Sequence, residues 1–161
     1  VYRFVEDYRS HIARDSRPYP GLVEALQWLS NEGARLAVCT NKRTDLSRAL
    51  LQELGLAECF AAIIGADLAP AAKPDPRHLS LAVERAGGRM DRAVMVGDSR
   101  LDALVARAAA IPLVLVDFGY ADAPARTFRP DVLISHFDAL PDACDRLLSL
   151  CRPCPAAVAG I

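Results

Sequence analysis

Short apolar runs alternate with amphipathic segments along most of this 161-residue chain. Apolar runs that end at a glycine, a threonine or a polar loop predict buried strands, which we assign to residues 36–39, 60–65, 93–97, 112–116 and 132–134. Apolar residues spaced three or four apart predict helices over residues 21–31, 44–54, 77–86, 101–110 and 140–150. This alternation favours right-handed crossovers and an α/β fold with a doubly wound parallel sheet.

Several polar residues and glycines sharpen the predicted helix ends. Gly33 is expected to end the first of these helices as a C-cap, because glycine adopts the left-handed conformation readily. Thr44 or Asp45 is expected to cap the second helix, and Ser99 the fourth, since their side chains accept bonds from unpaired helical N–H groups.

The two ends of the chain differ from this alternating core. Apolar residues at helical spacing predict a further helix over residues 1–14, and a proline-punctuated connector follows at 16–21. Residues 151–161 are rich in proline and small residues, and we expect a disordered tail there. The predicted organisation is therefore a separate helix within 1–16, a core over 17–150 and a tail over 151–161.

Composition narrows the classes of partner. The chain is 52% hydrophobic and 24% charged with a net charge of −1, so it lacks the basic excess that binds nucleic acid or an anionic membrane. No apolar run approaches the roughly 20 residues that a membrane span needs. Five scattered cysteines favour a reducing cytosol. Cys151 and Cys154 have CxxC spacing but no second pair, which disfavours a zinc or redox site and leaves their role open.

Two carboxylates follow the strand predicted at residues 93–97. Asp98 stands at its carboxyl end, and Asp102 lies one helical turn further on the same side. Parallel sheets place ligands at this edge, and a pair of carboxylates suits Mg²⁺. A helix cap with a solvated aspartate is the alternative for this motif taken alone.

Two other strand ends carry groups suited to a phosphate. Thr40 and Asn41 follow the first predicted strand, and Lys73 lies in the loop after the second. A hydroxyl, an amide and turn N–H groups can cradle an anion to which lysine adds a positive charge. Taken singly, Thr40 suits an ordinary turn and Lys73 a solvated loop. Together they predict that Thr40, Lys73 and Asp98 cluster at one rim of the sheet, with Asp102 within reach.

Three segments, in order, resemble the second, third and fourth motifs of the haloacid dehalogenase superfamily. They are residues 38–42 (Val-Cys-Thr-Asn-Lys), 72–76 (Ala-Lys-Pro-Asp-Pro) and 96–102 (Val-Gly-Asp-Ser-Arg-Leu-Asp). Residues 17–21, Arg-Pro-Tyr-Pro-Gly, add a likeness to its phosphoglycolate-phosphatase-like members. The resemblance covers about residues 1–150. It implies a Rossmann-like core and Mg²⁺-dependent hydrolysis of a small phosphate monoester, with 2-phosphoglycolate as the favoured substrate.

The resemblance also implies a role for each candidate residue. Thr40 and Asn41 would contact the transferring phosphoryl group, and Lys73 would stabilise the phosphate and the nucleophile. Asp98 would ligate Mg²⁺, and Asp102 would support the ion or its waters. The implied partner is a small phosphorylated metabolite.

The chain departs from the family pattern in two places. Family members begin with a strand ending in Asp-x-Asp-Gly-Thr, whose first aspartate attacks phosphorus, and no such motif occurs here. The resemblance implies that residues 1–16 are the last helix of a cap and that the nucleophile strand precedes Val1, so we expect this chain alone to be inactive. The absent strand would lie between residues 36–39 and 93–97, which would then not pair directly and would stand about two strand spacings apart, near 10 Å. In addition, Ala110 stands where a glycine is usual, which predicts a strained helix exit.

Two alternatives remain. The first is a non-catalytic, truncated domain that binds phosphate, metal or a partner through its unsatisfied sheet. The second is a response-regulator receiver, which also places aspartate, threonine and lysine around a doubly wound sheet. A receiver needs its acidic pair near the start and its phosphoacceptor before the threonine, so the motif order counts against it.

Overall fold

The computed structural model describes residues 16–119 and 122–150. The helix predicted over residues 1–14 and the predicted tail lie outside these residues. Within the described part the strands are β1 (Ala37–Thr40), β2 (Ala62–Gly65), β3 (Met95–Gly97), β4 (Leu113–Val116) and β5 (Val132–Ile134). The α-helices are α1 (Leu22–Asn31), α2 (Thr44–Glu53), α3 (Pro76–Arg85), α4 (Arg100–Ala108) and α5 (Leu140–Leu150). Each agrees with the sequence prediction to within two residues at either end.

The strands form two parallel ladders. β1 pairs with β2, and the other sheet has the order β3-β4-β5. β1 and β3 therefore share no ladder, as the family resemblance predicts, while the predicted distance between them stays a prediction. β2 and β4 are buried along their whole length, whereas β1 is half-buried throughout and β3 is half-buried at Val96 and Gly97. Neither of the two strands that would flank the absent strand is buried along its whole length.

Strand β4 lies at the centre of the main core. Its side chains alternate between two faces, so that Val114 and Val116 contact one apolar cluster while Leu113 and Leu115 contact the other. The first cluster is completed by buried residues of α1, β5 and α5, and the second chiefly by those of β3 and α4. A third, smaller cluster of buried residues joins β2 to α3 and consists of Ala62, Ile64, Ala82 and Ala86.

Two helix ends have left-handed backbone geometry. Gly33 has φ 84° just beyond α1, which confirms the predicted C-cap. Ala110 has φ 54° just beyond α4, a region that costs a residue with a Cβ about 1–2 kcal/mol. The strained exit predicted at Ala110 is therefore present.

The starts of α2 and α4 turn out differently. Ser99 caps α4 as predicted, and with Asp102 it forms a reciprocal capping box. The prediction for α2 was wrong, because Arg43 is its N-cap and Thr44 is already helical. The Thr44 hydroxyl instead donates to Asp67 in the loop after β2 and accepts the Gly65 N–H at the end of β2. No helix among residues 16–119 and 122–150 has the length and apolar character needed to cross a bilayer.

Candidate active site

An ion pair joins the loop after β2 to the helix after β3. Lys73 Nζ lies 2.6 Å from Asp102 Oδ1, and the two side chains are 11% and 6% exposed. Both charged groups of this short ion pair are largely buried. Separating them would be costly, because each would then be a buried charge without a partner. It brings two of the residues predicted from the sequence into one site.

Asp102 also organises the turn that carries Asp98. Its Oδ2 accepts bonds from the Asp98 N–H (3.2 Å), the Ser99 N–H (3.1 Å) and the Ser99 hydroxyl (2.7 Å). Both oxygens of Asp102 are thus engaged by protein donors. A direct bond from Asp102 to a metal would have to replace one of these contacts, and its supporting role toward Mg²⁺ stays a prediction.

The turn after β1 contacts the main chain of Lys73. Asn41 Nδ2 donates to the Lys73 carbonyl at 3.0 Å, and the Lys73 N–H donates to Asn41 Oδ1 at 2.8 Å. Thr40 Oγ1 accepts the Lys42 N–H at 3.2 Å, which orients the hydroxyl while its proton can still be donated. The contacts therefore run from Asn41 through Lys73 and Asp102 to Asp98, with Thr40 beside Asn41.

The same turn has a second attachment that the sequence analysis missed. Asp67 Oδ1 accepts the Thr44 N–H (2.7 Å) and the Thr44 hydroxyl (2.9 Å), and the Gly65 N–H donates to Thr44 Oγ1 at 2.9 Å. The bond from the Thr44 N–H is the largest cause that lowers the pKa of Asp67 below its usual value. A Cβ on Gly65 would overlap the backbone of residues 42–44. The only sequence signal was an aspartate in the loop after a strand.

The loop after β4 lies directly against the side chain of Asp98. A Cβ on Gly119 would overlap the Asp98 side chain, so only glycine fits at this close approach. The neighbouring Phe118 makes edge-to-face contacts with Tyr19 and Phe137, at ring-centroid distances of 5.1 and 5.3 Å. These ring contacts favour one position of the loop. The sequence analysis assigns no role to this stretch between the last two predicted strands.

His78 is a buried polar group behind the Lys73 loop. It is 0% exposed, and its Nε2 lies 3.1 Å from the Ile64 carbonyl, so Nε2 carries the proton because a carbonyl only accepts. Its Nδ1 has no hydrogen-bond partner among the described residues. Burial lowers the pKa of His78, and the positive charge of Lys73 lowers that pKa further. His78 is therefore a neutral side chain that links α3 to β2 through its hydrogen bond to Ile64.

Cys39, next to Thr40 in β1, is not poised as a nucleophile. Burial raises the pKa of its thiol to about 11, although the charge of Lys73 acts in the opposite direction. A thiol with that pKa is protonated near neutral pH and reacts slowly. Cys39 packs against two of the apolar clusters, which accounts for its place in the strand.

The carboxylates of the site suit a metal ion that takes part of its ligands from water and from the substrate. Within the part of the chain that the structure describes, no three His, Cys, Asp or Glu side chains come together as a cage. Mg²⁺ commonly binds through one or two carboxylates, waters and a substrate phosphate. Asp98 at the end of β3 is the carboxylate suited to this, and bound Mg²⁺ would help to neutralise a phosphate near Lys73.

A scan of family models assigns the class of the protein. Residues 2–110 match the haloacid dehalogenase-like hydrolase family, so the chain belongs to that family. Its relatives include phosphoglycolate phosphatases, one from Caulobacter vibrioides at 53% identity over 161 residues and one from Mesorhizobium japonicum at 51% over 137 residues. These matches cover 100% and 85% of this chain and 67% and 60% of the relatives. The chain thus spans about two thirds of their length.

Solved structures agree with the family assignment. A crystal structure of a predicted phosphoglycolate phosphatase from Haemophilus somnus has a TM-score of 0.82 at 28% identity, covering 88% of this chain and 64% of that one. CbbY from Rhodobacter sphaeroides in complex with phosphate has a TM-score of 0.74 at 25% identity, covering 84% and 61%. The Rossmann-like α/β core predicted from the sequence is therefore confirmed. Family membership also excludes the receiver alternative.

Proposed function

We propose that this chain is the phosphate- and metal-binding core of a Mg²⁺-dependent phosphate monoester hydrolase that acts on 2-phosphoglycolate. The observation that carries the proposal is the ion pair between Lys73 and Asp102 at 2.6 Å, because it joins the loop after β2 to the helix after β3. Phosphoglycolate phosphatases at up to 53% identity support the substrate. They favour the enzyme over the non-catalytic alternative.

Thr40, Lys73 and Asp98 have a proposed part in this reaction. The Thr40 hydroxyl and N–H groups of the following turn donate to the phosphate oxygens, and the Lys73 ammonium offsets their charge. Asp98 holds Mg²⁺. The nucleophile implied by the resemblance is an aspartate in an Asp-x-Asp-Gly-Thr motif that residues 1–161 do not contain. We therefore propose that this chain binds phosphate and Mg²⁺ but does not turn over alone.

The proposed partner is a small phosphorylated metabolite, not a nucleic acid, in keeping with the net charge of −1. The proposed compartment is the reducing cytosol. Its support is that the cysteines of the described region are free thiols, namely Cys39, Cys59 and Cys144.

The test compares this chain with a chimera. The chimera adds the segment of the Caulobacter vibrioides relative that lies outside the match. We expect the chimera to hydrolyse 2-phosphoglycolate with Mg²⁺, the Asp98→Asn chimera to lose several orders of magnitude, and the chain alone to release no phosphate.

Two results would overturn the proposal. One is a folded chimera that releases no phosphate from 2-phosphoglycolate. The other is turnover by the chain alone that Asp98→Asn abolishes, because another residue would then supply the nucleophile. An exposed change at the last residue of α1, Asn31→Ala, is the control that should leave the chimera active.

A further inference from the structure

We propose that Asn41 is a positioning residue that acts through Lys73, and that its side chain is not itself a ligand of the phosphate. The inference rests on the proposed function, because it concerns the same site. The family resemblance implies that Asn41 contacts the transferring phosphoryl group, whereas here its side chain acts only by holding Lys73 in place.

The first step is the direction of the Asn41 amide. Its Nδ2 donates to the carbonyl of Lys73 at 3.0 Å, and its Oδ1 accepts the N–H of Lys73 at 2.8 Å. Two bonds to one residue, 32 positions away in the chain, set the plane of the amide as well as its position. The side chain therefore faces the main chain of Lys73.

The second step is what this does to Lys73. A lysine ammonium sits on a flexible four-carbon stem, so its reach is defined only when the main chain beneath it is fixed. Asn41 holds that main chain, and Asp102 holds the ammonium at 2.6 Å. Lys73 is thereby fastened at both ends, by groups that follow β1 and β3.

The third step is that Asn41 itself stands on a fixed base. Its turn is tied to the loop after β2 by the Ala66 N–H donating to the Lys42 carbonyl at 3.1 Å, and by Thr44 and Asp67. The loop that carries Lys73 begins directly after β2, and these bonds attach its beginning to the turn that carries Asn41. That arrangement favours an alignment role.

A double-mutant cycle separates the two roles, because coupled residues are non-additive. Binding of inorganic phosphate in the presence of MgCl₂ is measured by calorimetry for the wild type, Asn41→Ala, Lys73→Met and the double variant. We expect Asn41→Ala to weaken binding about tenfold in the wild type and less than about twofold once Lys73 is methionine. An equal tenfold loss in both backgrounds would mean that Asn41 binds phosphate directly, and no loss in either would mean that it does neither.

A second measurement needs no phosphate and tests whether Asn41 holds the Lys73 main chain. It therefore remains informative if the wild type binds no phosphate, a result that would contradict the proposed function but not this inference. Hydrogen exchange of the Lys73 amide and labelling of its ammonium by an amine-reactive reagent are followed by mass spectrometry. We expect Asn41→Ala to speed both at least about threefold, since local opening then costs less, while Asn31→Ala leaves them unchanged. Wild-type rates in a folded Asn41→Ala chain would overturn the inference.

Discussion

The candidate site is shared by two parts of the molecule that are stabilised differently. The two-stranded half consists of β1, β2, α2 and α3, and its own buried cluster has four residues. The three-stranded half consists of α1, α4, α5 and strands β3 to β5, and most of the ten- and nine-residue clusters lie in it. Apolar packing is therefore concentrated on one side of the site.

The polar contacts occur on both sides of the site. Asn41 and Lys73 stand on loops of the two-stranded half and are placed by hydrogen bonds between those loops. Asp98 follows a strand of the well-packed half and is braced by the backbone of Gly119. The comparison teaches that the anion-binding side of the site is aligned chiefly by hydrogen bonds between loops, whereas the metal side combines the hydrogen bonds of Asp102 with a well-packed core.

The largest expected effect is a loss of core packing in the three-stranded half. Leu115→Ala removes a fully buried side chain and should lower the free energy of unfolding by about 2–5 kcal/mol. Urea denaturation measures it. Leu133→Ala, in the neighbouring strand at 39% exposure, is the control and should cost under about 1 kcal/mol. Equal losses would contradict the assignment of the core to β4.

A second effect concerns the close contact between Gly119 and the Asp98 side chain. Gly119→Ala puts a Cβ where the Asp98 side chain lies, so either the loop or the carboxylate must move. We expect Mg²⁺ affinity, measured by calorimetry, to fall about tenfold, or about 1.4 kcal/mol. Gly88→Ala is the matched control, since its Cβ would stand 3.2 Å from Val83 Cγ1, away from the site. Unchanged affinity in Gly119→Ala would show that the loop does not position Asp98.

A third effect is a dependence of stability on pH through His78. Its pKa is lowered in the folded chain, chiefly by burial, so the unfolded chain takes up a proton first as the pH falls. Stability is therefore greatest above the ordinary histidine pKa of about 6.5 and declines below it. We expect the wild type to lose more stability than His78→Gln between about pH 7.5 and 5.5. Parallel pH profiles from urea denaturation would contradict this account.

The smallest effect tests the exit of α4. Ala110→Gly relieves the left-handed strain at φ 54°, worth about 1–2 kcal/mol, but glycine adds about 0.4–1 kcal/mol of unfolded-state entropy. We expect a net gain of about 0–1.6 kcal/mol in the free energy of unfolding. Ala109→Gly, where φ is −87°, should lose stability instead. A loss in both variants would remove the argument for strain at Ala110.

The sequence predicted the fold well because strand and helix periods are local signals. It could place Thr40, Lys73 and Asp98 at strand ends, since parallel strands share an edge. It could not show that Asp102 pairs with Lys73 or that Asn41 faces the Lys73 main chain, because both contacts depend on loop conformations. Asp67, His78 and Gly119 were missed for the same reason, as each matters through a neighbour distant in sequence.

The central claim is that the two halves make a single site for phosphate and Mg²⁺. It is tested most directly by the affinity of the chain for inorganic phosphate, measured by calorimetry with and without MgCl₂. Ligands that share one site are coupled, typically by 1–3 kcal/mol, so we predict phosphate binding at least about fivefold tighter with Mg²⁺ and no such gain in Asp98→Asn. Equal phosphate affinity with and without Mg²⁺ in the wild type would contradict the claim.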